Sequence, residues 1–92
     1  MDKKYLNKVV DRLVRETEVD YEKKELYSPF NILSSTELYI AISSSLYTYC
    51  LFQIFSSFAK HCEIVYGLND DEVEYVWDEY KQIIKDKIRN NG

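Results

Sequence analysis

His61 and Cys62 stand side by side, and in this 92-residue chain they are the pair whose types could support nucleophilic chemistry. A cysteine nucleophile needs an imidazole within hydrogen-bond reach. Neighbours on a helix project about 100° apart and do not face one another. The chain has a single histidine, so no other imidazole can take the role. The pair therefore reads as a helix-surface histidine beside a packed cysteine.

Metal chemistry finds no better footing. Cys50 and Cys62 are twelve residues apart, with no Cys-x-x-Cys and no His-x-x-x-His to complete a tetrahedral site. Asp70, Asp71, Glu72 and Glu74 offer oxygen ligands, but they lack the glycine and the spacing of a calcium loop. The only glycines are at 67 and 92, so there is no glycine-rich phosphate cradle. Ser43, Ser44 and Ser45 have neither a Gly-x-Ser-x-Gly context nor a lysine three residues on. The expectation is a protein without catalytic, metal or cofactor residues, and not an enzyme.

Charge narrows the partners. The net charge is −4, which argues against nucleic acid, whose binders carry a basic excess. Residues 1–29 are balanced, 30–59 hold only Glu37, and 61–80 hold acids and no Lys or Arg. The basic positions Lys4, Lys8, Arg12 and Arg15 are diluted by interleaved acids and read as a solvated helix face. The acidic run 63–79 allows an alternative, an inhibitor that mimics nucleic acid, but helix capping and dipole effects account for much of it. Two cysteines do not make a disulfide framework, and the N-terminus leads into an amphipathic segment rather than an apolar run. Both features predict a cytoplasmic location.

The elements come from periodicity. Leu6, Val9, Val10, Leu13, Val14 and Thr17 recur at helical spacing and predict an amphipathic helix from about Asp2, fraying between Val19 and Glu25. Asp11 and Arg15 are spaced to pair along it. Pro29 breaks the pattern, and 26–33 reads as a connection. Ser34 and Glu37 form a capping box, with Leu33 and Leu38 as its hydrophobic staple. Gly67 supplies a stop after Tyr66. Asn69 and Glu72 repeat the box, and Val73, Val76, Trp77, Tyr80, Ile83, Ile84 and Ile88 line one face of a final helix over about 70–89.

Between the two boxes lies the ambiguous part. Residues 38–59 carry no charge, and their Tyr, Ile, Thr and Phe are strand chemistry. The caps favour a helix over 35–66, long or broken near 43–45 or 56–57, and a hairpin turning at the three serines is the competing reading. The stretch is long enough to span a bilayer, which gives a membrane-associated alternative, but its serines, Thr48 and Gln53 make it polar for a span.

The fold expectation is all-α: one domain over 1–92, a small bundle of three main helices with a long or broken apolar central helix. The alternative is α+β, with a central β-hairpin packed on two helices. A central helix apolar nearly all round must be buried on all sides. Two amphipathic neighbours cover only part of it, and the remainder predicts an interface. Tyr39, Tyr47, Tyr49, Leu51 and Phe55 are its expected residues, and a second copy of the chain or another protein is the expected partner. The functional expectation is a small non-enzymatic module for protein–protein interaction, working as an oligomer.

Overall fold

The computed structural model describes residues 2–44 and 48–90, and of residues 48–50 the backbone alone. The elements run α1 (Lys3–Arg15), β1 (Glu18–Asp20), β2 (Glu25–Tyr27), α2 (Ser35–Ser44), α3 (Thr48–Tyr66) and α4 (Asp70–Asn90). Helix dominates, and a small two-stranded hairpin is added to it.

Asp2 caps α1, its carboxylate accepting the Tyr5 N–H at 2.9 Å. Leu6, Val9, Val10 and Leu13 are buried as the stripe requires. The helix stops at Arg15, well before the predicted fraying point. The ion pair on it is Arg12–Glu16 at 3.0 Å, in place of Asp11–Arg15. Thr17 is buried just past the end, where its hydroxyl donates to the Leu13 carbonyl at 2.8 Å and meets the Tyr80 hydroxyl at 2.8 Å.

The hairpin corrects the expectation that α1 runs on toward residue 24. Val19 and Leu26 leave the helical stripe because they belong to a different period. They are directly paired in the antiparallel register, as are Glu18 with Tyr27 and Asp20 with Glu25. Leu26 is fully buried, so the pairing turns the apolar couple inward and the acids outward. The turn is made by Asp20, whose carboxylate accepts the Lys23 N–H at 3.0 Å, and by Lys24 at a φ of 55°. β2 takes up the first residues of the predicted connection.

The capping boxes form as predicted. Glu37 N–H donates to Ser34 Oγ at 3.2 Å and Ser34 N–H to Glu37 Oε2 at 3.1 Å. Asn69 and Glu72 exchange the same two bonds at 2.9 Å each. Gly67, at a φ of 66°, ends α3; its N–H reaches the Glu63 carbonyl at 3.1 Å and the Leu68 N–H reaches that of Cys62 at 3.3 Å.

The central segment is helical on both sides of residues 45–47, as α2 to Ser44 and as α3 from Thr48; the break expected near 43–45 reaches outside the described residues, and the one expected near 56–57 does not occur, because α3 runs through it. Ser43 and Ser44 both turn their hydroxyls back onto the Ile40 carbonyl, a bond that weakens a helix end. Residues 38–44 and 51–58 are helical, so the strand-like alternation there does not produce the central hairpin. The hairpin lies upstream, at 18–27.

One hydrophobic core joins all the elements. Its centre is aromatic. Phe58 of α3 meets Phe30 edge-on at 5.1 Å between ring centroids and Trp77 at 5.0 Å, and Tyr80 lies 5.4 Å from Phe30. α1 runs against α4, with Tyr75 donating to Asn7 at 2.9 Å, while α2 packs on β2, α3 and α4.

A candidate interface on the outer face of α3

The other elements cover one side of α3. Ile54, Phe58 and Cys62 make its core-facing row, each at most 2% exposed. Two residues back along a helix is about 200° round it, so the row Phe52, Ser56, Lys60 and Ile64 points the opposite way. All four are exposed, Phe52 at 68% and Ile64 at 73%. Ile32 of the 28–34 connection, at 62%, lies beside this row, and Val65, at 50%, follows Ile64. Phe52, Ile64, Ile32 and Val65 are the most exposed large apolar side chains among the described residues; Tyr5, Tyr27 and Ile83 follow at 38–46%.

The connection is pinned here because the Ser57 hydroxyl donates to the Phe30 carbonyl and Phe30 inserts into the aromatic core. Two shallow grooves result. One, of about 270 Å³, runs between Pro29, Ile32, Lys60, His61 and Ile64. The next, of about 390 Å³, continues along Ile32, Phe52, Gln53, Ser56 and Lys60. Together they form one surface with a single charged group, Lys60.

The His61–Cys62 pair separates as its spacing implies, but His61 is half-buried and not the helix-surface histidine expected. Cys62 is fully buried, and burial pushes its thiol up to about 12, which leaves it protonated and a poor nucleophile at neutral pH. The His61 ring lies between Phe30, at 6.4 Å, and Tyr66, at 5.9 Å, and its Nε2 is buried without a hydrogen-bond partner. Among the described residues no three His, Cys, Asp or Glu side chains come together to hold a metal ion. No described helix is long and apolar enough to cross a membrane.

The residues expected at an interface divide. Tyr39 on α2 and Leu51 and Phe55 on α3 are half-buried against the core, and Phe55 stacks edge-on with Trp77 at 5.7 Å. Tyr47 lies outside the described residues, as does the side chain of Tyr49. Phe52, Ile64 and Ile32 are not among the residues that the sequence reading singles out. The signal available for them is the four-residue spacing of Phe52, Ser56, Lys60 and Ile64, in which the two polar members mark the outward direction.

Comparison with protein-family models, with curated proteins and with solved structures finds no match to this chain.

Proposed function

We propose that this chain is a small non-enzymatic protein–protein interaction module that works as an oligomer in the cytoplasm, and that the outer face of α3 is its contact surface. The observation that carries the reading is the concentration of exposed apolar area at Ile32, Phe52, Ile64 and Val65. Contiguous patches of this kind on a small protein mark interaction sites. A chain of this length buries a modest share of its own surface, so burial between copies adds proportionally more to its stability. In this reading the fold works as a helical bundle, with the hairpin closing one end of the core over Leu26.

Hydroxyl-radical footprinting at increasing protein concentration tests the reading. Oxidation of Phe52 and Ile64 falls as the face is covered, while Tyr27, exposed elsewhere, stays reactive throughout. Unchanged oxidation of Phe52 and Ile64 over the whole range would contradict it.

A further inference from the structure

We infer that the stretch 28–32 is a hinged strap, which opens as a unit while the helices stay folded and in doing so uncovers the chain's single histidine, His61. The strap works in this way whether or not the outer face of α3 meets a partner.

Both ends of the strap are anchored. The pairing of Tyr27 with Glu18 fixes the end of β2, and the Ser34–Glu37 box fixes the start of α2. Leu33, just before the box, packs against the core. Between these anchors 28–32 belongs to no helix or strand. The Asn31 N–H donates to the Ser28 carbonyl at 3.4 Å, and Asn31 Oδ1 accepts the Leu33 N–H at 2.9 Å. Both bonds are local, so neither ties the strap to another element.

What clamps it is small. Among the described residues the hydrogen bond from the strap to another element is that of the Ser57 hydroxyl with the Phe30 carbonyl. Phe30 is the side chain that the strap buries in the core, 5.1 Å from Phe58 and 5.4 Å from Tyr80 between ring centroids. Pro29 and Ile32 stand in solvent. Along the rest of the seam the strap is not packed onto α3: the groove of about 270 Å³ separates Pro29 and Ile32 from Lys60, His61 and Ile64. A segment with so little burial and so few bonds to its surroundings belongs to the part of a fold that opens first.

The closed strap also carries a cost. Ser28 Oγ and His61 Nε2 are both buried without a hydrogen-bond partner, one on the strap and the other beneath it, where the imidazole faces Phe30 at 6.4 Å. Opening returns both atoms to water and frees the backbone of 28–32. The burial of Phe30 opposes this and keeps the strap shut in most molecules. The helices do not depend on the strap for their other ties, since α1 stays joined to α4 by Asn7–Tyr75 and Thr17 to Tyr80. The open form presents the seat that Phe30 vacates, walled by Phe58 and Tyr80 and edged by the His61 imidazole. Phe30 is thus a plug, and the strap a gate over the aromatic centre.

The test is the rate at which diethyl pyrocarbonate modifies His61, read by mass spectrometry at one fixed neutral pH across a series of urea concentrations below the unfolding transition. Alkylation of Cys62, fully buried on the core-facing row of the same helix, reports global unfolding under the same conditions. Opening the strap exposes little surface, so the His61 rate is expected to rise only slightly with urea, while the Cys62 rate rises with the full slope of unfolding. Ser57→Ala removes the clamp's hydrogen bond and is expected to speed the modification of His61 by about two- to tenfold, with the same shallow slope. Rates for His61 and Cys62 that share the steep slope overturn the strap, because His61 is then reached only by unfolding. A His61 that reacts as fast in the native chain as in the unfolded one, in wild type and Ser57→Ala alike, overturns it as well, because nothing then covers the imidazole.

Discussion

The buried Thr17–Tyr80 hydrogen bond gives a prediction whose size follows from the structure. Thr17 donates to the Leu13 carbonyl, and its oxygen also meets the Tyr80 hydroxyl, both at 2.8 Å. Thr17 is 6% exposed and Tyr80 is fully buried, so neither hydroxyl can turn to water for a replacement. Tyr80→Phe removes one net hydrogen bond while Thr17 keeps Leu13, and costs about 1 kcal/mol. Thr17→Val also strands the Tyr80 hydroxyl without a partner, and costs about 2 kcal/mol. The double variant removes both groups, so nothing is stranded. Its loss falls short of the sum by about 1 kcal/mol, the signature of a direct pair. Urea unfolding followed by circular dichroism, at one fixed protein concentration, reads all three. In thermal unfolding 1 kcal/mol corresponds to about 4–8 °C in a domain of this size. Strictly additive losses would show that the two hydroxyls do not interact, and that the junction between α1 and β1 is not tied to α4 in this way.

Three further outcomes follow from the same structure. Gly67→Ala is expected to cost about 1 kcal/mol, because a side chain is strained at a φ of 66° although no atom lies within 4 Å of the added carbon; an unchanged urea midpoint would contradict the cap. Cys62 resists thiol reagents at pH 8 until the chain unfolds. Its raised folded value, about 12 against 9.0, means that the unfolded chain loses the proton first, so Cys62's contribution is complete below pH 9 and is lost as pH rises toward 12. Rapid native labelling, or stability flat across that window, would refute the burial. Phe55→Ala lowers the unfolding midpoint through its contact with Trp77, whereas Phe52→Ala, at a side chain already 68% exposed within one copy, changes the stability of the monomer much less.

The features legible in the sequence are those decided within a few residues. The boxes at Ser34–Glu37 and Asn69–Glu72 are side-chain bonds to a backbone three residues away, and both form. The α1 stripe and most of the α4 face are periodic over several turns, and only Ile83 of the predicted α4 face lies partly exposed. The hairpin was not legible. Three-residue strands give one inward position each, Val19 and Leu26, and neither alone distinguishes a strand from a frayed helix. The candidate surface was legible as a need for cover but not as a set of residues. Phe52, Phe55 and Phe58 are equally apolar, and their exposure depends on where α4, α2 and the connection lie. Tertiary packing puts Phe58 in the core, Phe55 on Trp77 and Phe52 in solvent.

The proposed role of the outer face of α3 is to be covered by another copy of the chain. The measurement that tests it most directly is the mass in detergent-free solution, by light scattering behind a sizing column, for the wild-type chain and Phe52→Lys across a range of concentrations. The expected result is a wild-type mass that rises with concentration to twice the 11.0 kDa of one chain, and a Phe52→Lys mass that stays at 11.0 kDa. A wild-type mass fixed at 11.0 kDa throughout, or a dimer that Phe52→Lys leaves intact, would contradict it.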